Sequence, residues 1–147
     1  MSSVRVFLSF DLEHDRDLCE LLLEQARRGS SFAVGGRSEG GALDASWAER
    51  VRGRITAADE VVVICGEHTD AAKRVGAELR IAQEQKKPYV LLWGRRERMC
   101  KKPSSARLDD GMYNWSAGIL DQQILSVLRR SRQAQVPEGM KRVTQRP

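Results

Sequence analysis

The segment EVVVIC, Glu60-Val61-Val62-Val63-Ile64-Cys65, decides the fold. An unbroken apolar run of this length, with no polar alternation, fits a strand covered on both faces, as in a parallel sheet. Working outward, Val4 to Phe10 (VRVFLSF) is rich in β-branched and aromatic residues and reads as a first strand. Pro88 to Trp93 (PYVLLW) repeats the buried-strand pattern, and Phe32-Ala33-Val34 is a short second strand.

Helical patterns lie between these strands. Asp15 to Arg28 offers Leu18, Leu21, Leu22 and Leu23 as an apolar face. Trp47, Val51 and Ile55 recur at intervals of four after a capping box of Ser46 and Glu49. Ile119 to Arg132 closes the domain, with Ile124, Val127 and Leu128 inward. Alternating strand and helix call for an α/β three-layer sandwich around a parallel sheet. The expected domain covers 1–132, and 133–147 is a basic tail expected to fray.

Ligands of such sheets bind beyond the carboxyl ends of the strands. The segments to inspect are therefore Ser9 to Asp11, the glycine-rich stretch Gly35 to Gly41 with its continuation to Asp44, Gly66 to Thr69, and Gly94 onward. The glycine-rich stretch matches neither GxGxxG directly after a strand nor GxxxxGK[ST], so it reads as a flexible lid or turn-rich connection.

One residue in this region is out of place. At about 100° per residue, Glu78 falls about 300° from Val75, inside the arc of Ala71, Val75, Leu79, Ile81 and Ala82. A carboxylate turned toward apolar neighbours costs free energy unless it is paired, hydrogen-bonded or protonated. Two accounts stand side by side. Glu78 pairs with Arg74, or with a base from a neighbouring element, or it sits at a cleft edge where it binds a hydroxyl or stabilises developing positive charge.

Composition narrows the classes. The chain has 147 residues, 41% hydrophobic and 31% charged, which suits one folded domain. No run approaches the ~18 apolar residues of a membrane span, and MSSVRVFLSF has no signal-peptide pattern, so a cytoplasmic protein is expected. Cys19, Cys65 and Cys100 lack ligand or disulfide spacing; Cys65 reads as a buried inert thiol, and Cys100, among Arg98, Lys101 and Lys102, as a reactive thiol or a loop bystander. No metal site is expected: HExxH is absent and the acids are scattered. The only histidines are His14 and His68, and no GxSxG elbow supports a nucleophilic triad. His68, directly after the EVVVIC strand, is either a functional imidazole or a turn residue. Residues 1–85 carry a net charge of −4 and residues 86–147 a net charge of +9. Arg95 to Lys102 is thus a candidate phosphate or acidic-partner patch, or else a solvated loop.

Five stretches in order, RVFLSFD (5–11), LDASW (43–47), ITAADEVVVICGEHT (55–69), RVGAEL (74–79) and KPYVLLWG (87–94), make residues 4 to 130 resemble a TIR-like domain. The resemblance is to the prokaryotic TIR-like group that includes the Thoeris antiphage component ThsB, rather than to animal adaptor domains. It implies a flavodoxin-like sheet of about five strands in the order 2-1-3-4-5. It also implies NAD, or a related nucleotide, as substrate: such domains release nicotinamide or form ADP-ribose-type signals, as a glycohydrolase or cyclase, with no permanently bound cofactor. The family's required glutamate lies in W-V-x-x-E-[IL], which reads Arg74-Val75-Gly76-Ala77-Glu78-Leu79 here, so the resemblance makes Glu78 catalytic. Ser9, Phe10 and Asp11 take the family's nucleotide-cleft positions, Asp44 and Trp47 those of its Asp-x-S-x-W segment, and His68 its third-strand end. Basic residues after Gly94 are placed to hold a pyrophosphate.

Three readings follow. The first is an NAD-processing enzyme of prokaryotic defence or stress signalling, assembling as a homo-oligomer or TIR–TIR array. The second is a non-catalytic TIR-like module that acts by self-association or partner binding. The third, nucleic-acid binding by the basic half, is weakest, because Trp93, Tyr113 and Trp115 are few aromatics for base stacking. A membrane is not expected as a partner.

Overall fold

In a computed structural model, residues 4–28 and 31–134 are described. The chain forms β1 (Val4–Ser9), α1 (Arg16–Arg27), β2 (Phe32–Arg37), α2 (Ala45–Ala57), β3 (Glu60–Cys65), a 3-10 turn (Thr69–Ala71), α3 (Lys73–Glu84), β4 (Tyr89–Trp93), β5 (Met112–Asn114) and α4 (Ala117–Ala134). The sheet is parallel throughout, in the order β2-β1-β3-β4-β5. This is the expected flavodoxin-like α/β sandwich. No described helix is long and apolar enough to cross a membrane.

Every residue of β3 is buried, as the apolar run of this central strand requires. Its alternate residues feed two cores. Val61, Val63 and Cys65 meet Trp47, Val51 and Ile55 of α2 and Val75, Leu79 and Ala82 of α3. Val62 and Ile64 meet Leu18, Cys19 and Leu22 of α1 and Leu120 and Ile124 of α4. Helices therefore cover both faces, and all strand exits lie along one rim.

Several details differ from expectation. Strand β2 runs on through Gly35, Gly36 and Arg37, so the first three residues of the supposed lid are sheet. Val6 pairs with Val34 but Phe7 with Gly36, which leaves Gly35 as the extra residue of a bulge. A Cβ on Gly36 would stand 3.2 Å from the Phe7 ring, so the absence of a side chain there serves packing. Leu21 is 61% exposed, and Cys19 takes the buried place beside Leu18 and Leu22. Ala71 is exposed and precedes α3, in the 3-10 turn.

The capping box is absent because α2 starts at Ala45. Asp44 is its N-cap, accepting from the Trp47 N–H at 2.9 Å, while the Ser46 hydroxyl accepts from Arg50 at 2.8 Å. Met112 to Asn114, read as part of a loop, is β5, paired with Leu91 to Trp93. Helix α4 begins two residues before Ile119 and runs to Ala134; the Val127 and Leu128 side chains and residues 135–147 lie outside the described part.

Gly94 is a closely packed point of the rim, where a backbone atom is among the nearest neighbours. A Cβ there would lie 2.8 Å from the Cys65 carbonyl oxygen and 2.8 Å from Leu18 Cδ1. Backbone cannot yield as a flexible side-chain end does. Gly94→Ala is expected to cost about 2 kcal/mol and lower Tm by roughly 5–8 °C in thermal unfolding, whereas Gly53→Ala, which meets nothing within 4 Å, does not lower it.

Candidate functional site

The rim carries a buried carboxylate held by two hydroxyls. Ser9 ends β1, and its Oγ donates to Glu78 Oε1 at 2.7 Å. Ser38, the residue after β2, donates its Oγ to the same oxygen at 2.7 Å and accepts from the Phe10 N–H at 3.1 Å. The Ser38 N–H donates to the Leu8 carbonyl at 2.9 Å, which continues the β1–β2 ladder and fixes the serine beside the end of β1. Glu78 itself is 0% exposed, and its Oε2 has no hydrogen-bond partner among the described residues. Burial pushes its carboxyl up to about 7, although the Ser9 and Ser38 hydroxyls and the charge of Arg74 pull the other way.

Arg74 does not pair with Glu78. Its Nη2 donates to the Gly41 carbonyl at 2.7 Å, and its guanidinium lies over the Trp47 ring, 5.6 Å from the centroid. Gly41, at a φ of 102°, adopts a backbone conformation that suits glycine. The connection from Ser38 to Asp44 is thus fastened to α3 at Arg74 and to α2 through Glu39, whose carboxylate accepts from Arg50 at 2.9 Å and Arg54 at 2.6 Å. Trp47 is buried in the α2–α3 core, and Asp44 is exposed as the cap of α2.

Asp11 and His68 belong to a second group. Asp11 Oδ2 meets His14 Nδ1 at 2.8 Å, and Oδ1 accepts from the Glu13 N–H at 3.0 Å. The His14 and His68 rings stack with centroids 4.1 Å apart, which ties the exit of β1 to that of β3. The Asp11 hydrogen bond raises the His14 pKa. Asp11, Glu13 and His14 have ligand atoms within 4.8 Å of one another, two of the three residues being exposed, and the Asp11–His14 pair is a direct hydrogen bond.

Two of the basic residues after Gly94, Arg95 and Lys102, are committed elsewhere. Arg95 Nη2 donates to Asp15 at 3.0 Å, Asp17 at 2.8 Å and the His14 carbonyl at 3.0 Å, which clamps the start of α1. The Lys102 ammonium donates to the carbonyls of Arg107, Leu108 and Asp110. Cys100 is buried, its sulfur accepting from the Arg95 N–H at 3.3 Å, so it is a loop staple. Burial raises the Cys65 thiol far above its usual range, as an inert core thiol requires.

Sequence reasoning singled out Glu78 and Ser9 but missed Ser38, His14 and the role of Arg74. The available signal for Ser38 was register: continuing the Leu8–Arg37 pair by one residue sets Ser38 opposite Ser9.

No family model and no curated protein matches this chain. Among solved structures it is similar to the crystal structure of a prokaryotic SEFIR domain, with a TM-score of 0.50 and 18% identity over 88% of this chain and 92% of that one. The chain therefore shares the fold of that SEFIR domain. The likeness speaks to the fold and not to a narrower group within it.

The Glu78 proton couples to folding with a definite sign. Unfolded, the carboxyl titrates near its ordinary 4.5, and folded near 7. Between these values the native state holds a proton that the unfolded chain has lost, so stability falls as pH rises through that window. Relative to Glu78→Gln, which does not titrate, the wild-type chain is expected to lose about 3 kcal/mol between pH 4 and pH 8, at about 1.4 kcal/mol per unit. Denaturant unfolding of both proteins across this range measures it; parallel profiles would contradict it.

Proposed function

We propose that the chain processes NAD, breaking the bond between nicotinamide and ribose, with Glu78 as the catalytic carboxylate. The observation that carries this reading is the state of Glu78: a rim carboxylate with one oxygen held by Ser9 and Ser38 and the other unpartnered among the described residues. In that reaction the C1′–N bond breaks, its electron pair leaves with neutral nicotinamide, and positive charge develops on the ribose. A fixed carboxylate stabilises such a charge, and its free oxygen is suited to a ribose hydroxyl. Water then adds at C1′ and loses its proton, giving ADP-ribose. The resemblance sets this chemistry in prokaryotic defence or stress signalling, by an assembly of copies.

A second reading, a non-catalytic interaction module, draws on the complete burial of Glu78, which then serves as an internal hydrogen-bond acceptor. One assay separates the two. The concentrated wild-type protein should release nicotinamide from NAD, and Glu78→Gln should lower the rate at least ~100-fold with its fold intact. The active form is the carboxylate, so the rate should rise with pH through about 7. Ser38→Ala removes a donor to that carboxylate and should move the midpoint to higher pH. If the concentrated wild-type protein releases no nicotinamide, the second reading stands.

A further inference from the structure

Between the start of α1 and the exit of β2 lies a cleft of about 350 Å³ whose walls carry Arg16, Arg37 and Arg54 together with Glu20, Glu39 and Ser38, the serine that donates to Glu78. Glu78 is not among them. Its floor is apolar, with Phe10 and Cys19 buried, and its rim sets three arginines against two glutamates, a net positive charge. We infer that this cleft binds a phosphate-bearing ligand, with Arg16 and Arg37 gripping the phosphate and the apolar floor receiving a flat organic body such as a nucleoside.

Three features support the assignment. The Arg16 guanidinium makes no ion pair or hydrogen bond among the described residues, so nothing needs to be broken for it to meet an anion. Arg37 reaches Glu20 at 3.4 Å, but both side chains are more than half exposed, and such a pair exchanges at little cost. Its Nη1 also lies 3.8 Å from the Cys19 sulfur, which holds the guanidinium over the floor. Arg54 shares the single carboxylate of Glu39 with Arg50, so that corner keeps an excess of positive charge. Planar guanidiniums match phosphate oxygens two at a time.

The assignment does not depend on glycosidic chemistry, because ADP carries no nicotinamide bond. Titration calorimetry of the full chain with ADP, inorganic pyrophosphate and adenosine tests it. ADP should bind, and Arg16→Gln, which removes no internal contact, should weaken it about tenfold; Arg16→Gln with Arg37→Gln should weaken it further. Adenosine binding should not respond to either change. ADP binding more tightly than pyrophosphate identifies a nucleotide as the ligand, and equal binding identifies free diphosphate on the same rim. Absence of both at millimolar concentration, or unchanged ADP affinity in Arg16→Gln, would overturn the site, and either result leaves nicotinamide release to be judged by itself.

Discussion

A carboxylate removed from water must find its solvation inside the protein, and Glu78 finds part of it in two serine hydroxyls. Much of the rim is arranged around that requirement. Ser9 is placed because β1 ends there, and Ser38 because β2 continues to Arg37 and passes its ladder on through the Leu8 carbonyl. The bulge at Gly35 advances β2 by one residue and so sets which residue reaches that position. Helix α3 brings the acid itself by packing Val75, Leu79 and Ala82 into the core on the neighbouring face. Three elements far apart in the chain thus converge on one oxygen atom.

The fold was legible because its central signals are collective. Six apolar residues in β3, the helical period of α3 and the alternation of elements all agree, and Glu78 stood out against that regularity. What escaped depended on single residues whose meaning is set by partners far along the chain. Gly35-Gly36 has the composition of a loop, yet Phe7 and Arg5 occupy the space that side chains there would need. Leu21 has the apolar character of a core residue but points away from the sheet, and β5, only three residues long, is too short to show a period.

Charge was the least readable property. The basic excess of residues 86–147 suggested an anion patch after Gly94, but Arg95 and Lys102 are occupied in tying down loops and the start of α1. Arg74, four residues before Glu78, turns to Trp47 and Gly41 instead. The cationic cleft lies in the half of the chain whose net charge is negative, because Arg16, Arg37 and Arg54 come together only when α1, β2 and α2 are folded. Net charge along a sequence is a poor guide to the field at a given surface point.

The two margins of the sheet bear on solubility. A free strand edge is a template on which another chain can continue the ladder, the usual start of ordered aggregation. Here β5 offers only three residues, and β2 is interrupted at Gly35, with Arg37 at its end. Among the described residues, neither margin presents a long, regular row of backbone donors and acceptors. Both the short β5 and the bulged β2 thus disfavour growth of the sheet beyond the five strands of the described residues.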